Sequence, residues 1–402
     1  MKICLITLPA PFLLNDKVFP NLGILQISSQ LKKHGYDVTV HDDKVSKIPE
    51  GYDIYGISST TPQFPLAKEA LKRIRGFKNE SKVIIGGAHP TVDFESCWDF
   101  DYIIKGDGED AVTEALAFHK NRVNATKPYI IGKQLSQKIE DYPYADRDAI
   151  DIKSYKYYID NELATTIVTG RGCPFSCAFC CKTSKVKLRP SWHVIEEFRL
   201  LHFQYGYKAF MIFDDIFILN KKRTIEICEA IRNYNFKLRC FVRADLVVKH
   251  DYELLETMAD AGIVEVGMGI ESGSNLILKM INKGETTEIM AKAIKMLKSV
   301  GIRVKGFIIV GLPYENQKTL AETRKFLYDN KLDDVDFTIF TPYKGSHIYN
   351  NKRLYDIDWN GTEMSWYKGK PDQYSSNVFT SALSKEDIVE ARINLEREFK
   401  KW

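Results

Sequence analysis

Apolar and polar residues follow two alternating periods along this chain. Short apolar runs such as ICLITL (3–8) are typical of buried strands, whereas NLGILQISSQLKKHG places Ile24, Ile27 and Leu31 on one helical face. The runs DVTVHD, DIYGISS, VIIGG and DYIIKG follow, with a predicted helix from Pro65 to about Arg75 between the second and the third of them. Strands that alternate with helices predict an α/β fold, in which helices cover both faces of a parallel sheet.

The pattern divides the chain into regions. Residues 1–120 predict a doubly wound, Rossmann-like parallel sheet, and residues 121–163, which include QKIEDYPYADRDAI, predict a linker. Residues 164–345 carry six strand-like runs separated by amphipathic helices: TTIVTG, AFMIFDD, LRCFVRA, VEVGMGIE, VKGFIIVG and DFTIFTP. Six such units predict a partial (β/α)6 barrel with its function at the carboxyl ends of the strands.

The C-terminal region, residues 346–402, is rich in aromatic residues and ends in a predicted helix from about Lys385 with Ser384 as its N-cap. Its aromatic side chains are Trp359, Trp366, Tyr367 and Tyr374. They either cap the barrel mouth or pack beneath the last helix.

Composition narrows the function classes. The chain has 402 residues, which suits two domains, and its formal net charge of +4 is too balanced to argue for nucleic acid or an acidic membrane surface. It has no apolar run of about 18 residues, so no membrane span is expected. Four cysteines lie scattered along the chain without a secretory signal, and this pattern predicts a reducing cytoplasm.

The other four cysteines lie together in CPFSCAFCC (173–181), after the first barrel run. Cys173, Cys177 and Cys180 have the spacing C-x3-C-x2-C, and thiolates suit zinc or iron–sulfur clusters. A structural zinc site usually needs four ligands in paired C-x2-C units, and the chain offers no second pair. Three thiolates on a four-iron cluster would instead leave one iron open to a substrate or cofactor.

These cysteines resemble the motif of the radical S-adenosylmethionine (radical SAM) enzymes, in which Phe179 fills the usual aromatic position before the last cysteine. MIFDDIF, VGMGIESGS, KMINKG and GFIIVGLPYE look like the cobalamin-dependent branch of that family, as do PNLGILQISSQLKKHGYDVTVHD, IIGGAHPT and IKGDGEDA. The resemblance implies a 4Fe-4S cluster, S-adenosylmethionine and cobalamin as cofactors. It also implies reductive cleavage to a 5′-deoxyadenosyl radical and methylation of an unactivated carbon through methylcobalamin.

The resemblance also implies roles for strand-end residues. Asp214 and Asp215 are expected to receive the ammonium of S-adenosylmethionine, Arg243 its carboxylate and Glu271 its ribose hydroxyls. The carboxylates have a structural alternative, because strand-end acids often cap the next helix. Cys181 is either a small residue packed behind the cluster or a catalytic thiol facing the substrate.

The same resemblance implies that residues 1–120 form a cobalamin-binding domain. The loops PAPF, SSTTPQ, GGAHPT and GDGED suit close backbone approach to a ligand. The expected contacts are Pro9, Leu22, Gly23, Ser58, Ser59, Thr60, Gly86, Gly87, His89, Gly106, Asp107, Gly108 and Glu109. The loop after the first strand has no histidine, so cobalt is expected without a protein histidine ligand, and His89 is expected as a loop residue.

The leading functional hypothesis is thus a cobalamin-dependent radical SAM methyltransferase. The alternatives are a non-methylating radical enzyme that catalyses cyclisation, ring contraction or rearrangement, and a non-catalytic cobalamin sensor. The expected partners are an unidentified small-molecule or peptide substrate and a flavodoxin-like or ferredoxin-like electron donor. The protein is expected to be a cytoplasmic monomer.

Overall fold

The computed structural model describes residues 1–11, 13, 15–77, 80–120, 128–133, 135–361 and 373–400. It divides into two compact units, Met1–Lys156 and Tyr157–Trp402. The domain bounds expected from the sequence remain predictions.

The first unit is a six-stranded parallel sheet in the order β2-β1-β3-β4-β5-β6. Its strands are β1 Lys2–Thr7, β2 Asp37–His41, β3 Ile54–Ser58, β4 Lys82–Gly86, β5 Tyr102–Gly106 and β6 Tyr129–Lys133. Its helices are α1 Leu22–Lys33, α2 Phe64–Arg75, α3 Ala88–Val92 and α4 Gly108–Lys120. The strand β6 was not expected, because YIIGK lies in the segment whose pattern predicts a linker.

Two apolar layers hold this sheet between its helices. Ile3 and Leu5 of β1 pack with α1 and α4 on one face, whereas Cys4 and Ile6 pack with α2 on the other. This alternation follows from the two-residue period of a strand. The doubly wound architecture predicted from the sequence is thereby confirmed.

The second unit contains a seven-stranded sheet in the order β15-β14-β13-β12-β11-β8-β7. Its strands are β7 Tyr157–Ile159, β8 Glu162–Ile167, β9 Gly170–Arg171, β10 Lys187–Leu188, β11 Ala209–Ile212, β12 Lys237–Val242, β13 Ile263–Glu271, β14 Arg303–Val310, β15 Asp334–Ile339, β16 Asp358–Trp359 and β17 Val378–Phe379. The strands β8 and β11 to β15 are parallel neighbours in chain order. They are the six strands that the sequence predicts for a partial barrel.

Helices follow these strands and cover one face of the sheet. They are α5 Ser191–Phe203, α6 Lys221–Ile231, α7 Ala244–Asp260, α8 Asn275–Met280, α9 Thr287–Ser299, α10 Gln317–Asn330, α11 His347–Asn350 and α12 Lys385–Phe399. The 3₁₀ turns are Val45–Lys47, Thr61–Gln63, Glu95–Cys97, Ile139–Asp141, Arg147–Ala149, Ile152–Ser154, Phe217–Leu219, Arg232–Tyr234 and Lys352–Leu354. Within the residues that the structure describes, no helix is long and apolar enough to cross a membrane.

The C-terminal helix begins where the sequence predicts. The Ser384 side chain accepts a hydrogen bond from the backbone of Asp387 at 3.1 Å, which caps α12. Two of the aromatic residues before it have packing partners: Trp359 stacks on Tyr349 at 5.7 Å between ring centroids, and the Arg392 guanidinium lies 3.3 Å from the ring centre of Tyr374. Trp366 and Tyr367 lie outside the described residues.

Candidate active site

The cysteine loop follows β8 and the first strand of the small hairpin β9–β10. Gly172 enters it with φ +80°, and a Cβ there would lie 2.6 Å from the carbonyl oxygen of Lys185, so only glycine fits this close approach. Two other segments fasten the loop. The backbone N–H of Ala178 donates to the Ile281 carbonyl at 2.7 Å, and that of Ile348 donates to the Ala178 carbonyl at 3.0 Å.

The three cysteines of the motif differ in their environments. Cys177 is buried, Cys173 is half-buried and Cys180 is exposed. A hydrogen bond from Cys180, with the positive charges of Lys283 and Arg243, lowers the pKa of Cys177 to about 6. The same bond raises the pKa of Cys180, and burial raises that of Cys173. Cys177 is therefore poised as a thiolate, the form that binds iron.

The geometry bears on what these thiols hold. Among the described residues, no three His, Cys, Asp or Glu side chains are arranged around a point that a single metal ion would occupy. The thiols of Cys177 and Cys180 nevertheless share a hydrogen bond, and Cys173 lies close enough for its charge to interact with Cys177. Thiols that lie near each other suit a multi-iron cluster, in which each thiolate ligates a different iron.

Arg243 lies directly beside this loop and is almost fully buried. Its Nη1 is 3.7 Å from Cys177 Sγ, and its guanidinium covers the Phe175 ring at 3.7 Å. It also pairs with Asp245 at 3.1 Å and donates to the Lys283 carbonyl at 3.0 Å. The structure thus places Arg243 beside the cysteines, with part of its donor capacity already used within the protein, and its role toward S-adenosylmethionine stays a prediction.

Two charged residues that were given no role from the sequence complete this cluster, Lys283 and Glu285. Lys283 Nζ lies 3.0 Å from Glu271 Oε1 and 3.4 Å from Glu285 Oε2, and Glu285 Oε2 lies 3.5 Å from Arg243. Burial lowers the pKa of Lys283, but Glu271, Glu285 and Cys177 outweigh it and raise the pKa to about 12. In the sequence, Lys283 belongs to the motif KMINKG. The resemblance includes this motif but gives Lys283 no role.

Glu271 ends β13 in a left-handed conformation, with φ +62°. This conformation is costly for a non-glycine residue, and such residues concentrate at functional sites. A Cβ on Gly269 would lie 2.2 Å from Glu271 Oε1 and 3.0 Å from Lys283 Nζ, so the glycine makes room for the ion pair. The carboxylate predicted for a ribose is here bonded to a lysine.

Asp214 and Asp215, which come shortly after β11, lie in different environments. Asp214 is buried and accepts hydrogen bonds from the backbone N–H of Thr169 at 2.6 Å and from its hydroxyl at 2.5 Å. Burial raises the pKa of Asp214 to about 6. Asp215 is exposed, and its charge is among the causes that raise the pKa of Cys173. The structure therefore favours the structural alternative for Asp214 and leaves Asp215 near the cysteines.

Cys181 and Phe179 complete the loop. The Cys181 thiol is half-buried and donates to the Lys344 carbonyl at 3.3 Å, and burial raises its pKa. Phe179 is half-buried in the turn between Cys177 and Cys180. A neutral, bonded thiol favours the packing role for Cys181.

The last barrel motif, GFIIVGLPYE, supplies a structural carboxylate. Glu315 is buried, accepts the Gly311 N–H at 2.5 Å, and has a pKa that burial raises to about 8. Gly311 has φ +84°, a backbone conformation that suits glycine in a turn.

In the first unit, the candidate ligand loops gather at one edge of the sheet because its strands are parallel. The chain leaves β1 for β2 on one side and returns to β3 on the other, so the strand order reverses between β1 and β3. Such a switch point is where open α/β sheets bind ligands. Pro9 follows β1, Ser58 ends β3, and Ser59 and Thr60 follow it. Gln63 connects the two loops by donating to the carbonyls of Leu8 at 2.7 Å and Pro9 at 3.3 Å.

Backbone contacts tie the loops after β3 and β4 together. The N–H of Ser59 donates to the Gly86 carbonyl at 2.9 Å, and the N–H of His89 donates to the Ser59 carbonyl at 3.0 Å. Gly87 has φ +105°, and a Cβ there would lie 2.8 Å from Ser59 O. This smooth edge of backbone and small side chains fits a large ligand such as cobalamin.

The remaining predicted contacts lie around the same edge. Gly106 ends β5, Asp107 follows it, and Gly108 and the buried Glu109 begin α4. The N–H of Gly106 donates to Thr91 Oγ1 at 3.0 Å. Leu22 and Gly23 begin α1, which follows β1.

His89 is occupied within the protein. Its ring nitrogens lie 3.2 Å from Thr61 Oγ1 and 2.9 Å from Ser96 Oγ, and its ring stacks on Phe64 at 4.0 Å. His89 lies in α3 and not in a loop, and its ring is held by contacts within the protein.

Two family models match the chain in the regions just described. The radical SAM superfamily model matches residues 167–327, and the B12-binding domain model matches residues 16–116. The chain is a radical SAM protein with a B12-binding domain. These domains identify its cofactors as a 4Fe-4S cluster, S-adenosylmethionine and cobalamin, which confirms the cofactors expected from the sequence.

Curated relatives match this radical SAM protein over most of its length. It is 29% identical over 399 residues to "Uncharacterized methyltransferase PH0819" of Pyrococcus horikoshii, covering 89% of this chain and 85% of that protein. It is 27% identical to the anaerobic magnesium-protoporphyrin IX monomethyl ester cyclase of Cereibacter sphaeroides, covering 83% of this chain and only 60% of the cyclase.

Among solved structures, the radical SAM methyltransferase TsrM of Kitasatospora setae aligns with a TM-score of 0.69 at 16% identity. The alignment covers 89% of this chain and 78% of TsrM. At that identity the likeness concerns the fold, and it confirms the parallel-sheet domain followed by a partial barrel.

Proposed function

We propose that this protein is a cobalamin-dependent radical SAM C-methyltransferase. The observation that carries the proposal is the loop of Cys173, Cys177 and Cys180, packed against a buried arginine, in a chain that also has a B12-binding domain. The methyltransferase names of relatives support the reaction type. When bound, the cofactors supply the 5′-deoxyadenosyl radical and the transferable methyl group.

The protein's own residues bind and orient. Cys173, Cys177 and Cys180 would hold the cluster, with Arg243 stabilising the Cys177 thiolate and receiving the carboxylate of S-adenosylmethionine. Lys283 would hold Glu271 in place for the ribose, because its ammonium bonds that carboxylate in a buried site. Asp215 rather than Asp214 would face the ammonium group, since Asp214 is occupied by Thr169.

In the first unit, the loops at the switch point between β1 and β3 would hold cobalamin. The backbone of Ser58–Thr60 and of Gly86 and Gly87 would contact it, with no histidine ligand to cobalt from the loop after β1. His89 supports this proposal by having both ring nitrogens engaged.

The electron donor we propose is a flavodoxin-like or ferredoxin-like protein. The exposed Lys182 and Lys185 directly follow the cysteine loop, and positive charge there would attract an acidic donor. All eight cysteines lack disulfide partners, which suits a reducing compartment such as the cytoplasm.

The deciding experiment needs no substrate. Protein reconstituted anaerobically with iron, sulfide and cobalamin is reduced and given S-adenosylmethionine. A methyltransferase of this kind forms S-adenosylhomocysteine as its cobalamin is methylated, and omitting cobalamin abolishes that product. Formation of 5′-deoxyadenosine without S-adenosylhomocysteine would contradict methyl transfer.

That second outcome would favour a non-methylating radical enzyme. The similarity to the magnesium-protoporphyrin cyclase is the observation that supports this alternative. The two reactions share the cysteine loop and Arg243, so they separate on the products and not on the cluster.

A further inference from the structure

The concave side of the barrel sheet carries aromatic rings where side chains face away from the helices. On β12, Leu238, Cys240 and Val242 are buried, whereas Arg239 and Phe241 are half-buried and precede Arg243 on the opposite face. Cys240 lies close enough to Cys228 of α6 for their charges to interact, so the buried face is the one that meets the helices. We call the face of Arg239, Phe241 and Arg243 the inner face.

Three phenylalanines form a continuous row on this inner face, which we call the aromatic row: Phe213, Phe241 and Phe307. The ring centroids of Phe213 and Phe241 lie 6.0 Å apart at 90°, and those of Phe241 and Phe307 lie 5.9 Å apart at 49°. Phe213 is 44% exposed, so this end of the row can be reached from solvent.

A glycine lets the row exist. Gly267 pairs with Phe241 across the β12–β13 ladder, and a Cβ on it would lie 2.7 Å from Phe241 and 2.8 Å from Phe307. Small barrels normally fill this space with branched side chains. The rings of Phe241 and Phe307 therefore lie over bare backbone.

Charged residues lie on either side of the row along the strands. Arg239 lies two residues before Phe241 and pairs with Glu265 at 2.6 Å. Arg303 pairs with Asp160 at 2.6 Å. The charges on this side of the row are therefore paired within the protein. Two residues after Phe241 comes Arg243 of the proposed cofactor site. At about 3.3 Å of rise per residue, the row begins only about 7 Å along the strand from that arginine.

We propose that the aromatic row is a subsite for a planar, uncharged ring, and that the substrate of the proposed methyltransferase carries such a ring. Edge-to-face and stacked contacts with Phe rings favour an aromatic ligand over a saturated one of the same size. The row is continuous with the proposed cofactor site, so a ring bound there has its neighbouring carbons near the reacting groups. The identification of this ligand as substrate rests on the proposed function; binding of a ring does not.

The test uses full-length protein reconstituted with its iron–sulfur cluster but without cobalamin, and saturation-transfer NMR with three probes: indole, cyclohexanol and S-adenosylmethionine. We expect indole to bind and cyclohexanol to bind detectably more weakly. Phe213→Leu and Phe241→Leu should each weaken indole binding about five-fold, the loss expected for one aromatic contact. Phe203→Leu, at a side chain that is 72% exposed on the outer helix α5, is the matched control and should leave binding unchanged.

Gly267→Ala provides a second variant that leaves all three rings in the chain. It should displace Phe241 and Phe307 and weaken indole binding while far-ultraviolet circular dichroism stays unchanged. Equal binding of indole and cyclohexanol would overturn the ring class. Displacement of indole by S-adenosylmethionine would assign the row to the cofactor and overturn its role for substrate. Failure of the methyltransferase proposal would appear separately, as absent S-adenosylhomocysteine in the reconstituted enzyme.

Discussion

The candidate sites of the two units are formed by different chemical groups. In the barrel, buried charged side chains meet at the cysteine loop: Arg243, Lys283, Glu271 and Glu285 form one ion-pair network. At the sheet edge of the first unit, backbone groups, hydroxyls and glycines shape the loops instead. This difference fits the proposal that the barrel holds a small charged cofactor through side-chain charges and that the first unit holds a large one through a closely fitting surface.

This difference predicts how strongly substitutions at each site should affect stability and ligand binding. In the barrel, removing one charge leaves others buried without a partner, so effects should be large and coupled. At the sheet edge, the proposed contacts depend on close approach of the backbone more than on individual side chains. Substitutions there should therefore have small, local effects on ligand binding. The following variants, from the largest expected effect to the smallest, test that contrast.

The largest effect is expected at the cysteines. Cys173→Ala should abolish the cluster, its absorbance, and reductive cleavage of S-adenosylmethionine, because three thiolates are needed to hold it. Cys181→Ala should keep full iron and sulfide, because its thiol donates to the Lys344 carbonyl. Iron and sulfide analysis after anaerobic reconstitution measures both. Loss of iron from Cys181→Ala would contradict the three-ligand assignment, and retained cleavage without product would favour a catalytic thiol.

Lys283→Met should lower the free energy of unfolding of the second unit by about 3–5 kcal/mol, the usual cost of removing one partner from a buried ion pair. Glu271 and Glu285 would be left in a site with 10% and 0% side-chain exposure, respectively. Urea unfolding followed by far-ultraviolet circular dichroism measures the loss. Lys283→Arg keeps the charge and should lose much less. A loss under about 1 kcal/mol for Lys283→Met would mean that water solvates these carboxylates.

Arg243→Ala should weaken S-adenosylmethionine binding about 30- to 150-fold, which corresponds to the loss of a charged hydrogen-bond partner worth about 2–3 kcal/mol. Equilibrium titration of protein with an intact cluster measures it. Arg243→Lys keeps the charge but not the planar fork, so an intermediate loss is expected. Unchanged affinity in Arg243→Ala would make the arginine a support for Asp245 and the Lys283 carbonyl alone.

The same contrast explains how far the sequence could lead. The cysteine spacing and the two-residue alternation of the barrel strands are local features of the sequence, so the cysteine triplet could be singled out and the six strands could be predicted. In AFMIFDD that alternation also separates Phe213 and Asp215 from Asp214, a local signal that distinguishes the two acids. The partner of Glu271 carries no such signal, because Lys283 reaches it only through the fold. The strand β6 was missed because a five-residue run inside an irregular segment is too short to stand out.

The smallest effect is expected at the sheet edge, from Gly87→Ala. The new methyl group would meet Ser59 O at 2.8 Å and Ser59 N at 3.0 Å, so the loops after β3 and β4 must separate. We expect a several-fold loss of cobalamin affinity, read from the absorbance of bound cobalamin during titration. Part of the change is unrelated to the ligand, because alanine at φ +105° also costs about 1–3 kcal/mol of backbone strain.

Gly51→Ala separates these two contributions. Gly51 lies in the same unit with φ +93°, but a Cβ there has no atom within 4 Å. It should therefore lower the unfolding temperature much as Gly87→Ala does while leaving cobalamin affinity unchanged. If both variants lose affinity equally, the loss reflects general destabilisation of the sheet. That result would contradict a specific cobalamin-binding surface at the switch-point loops. The contrast between a charged site and a backbone-shaped one would then be supported by the barrel variants only.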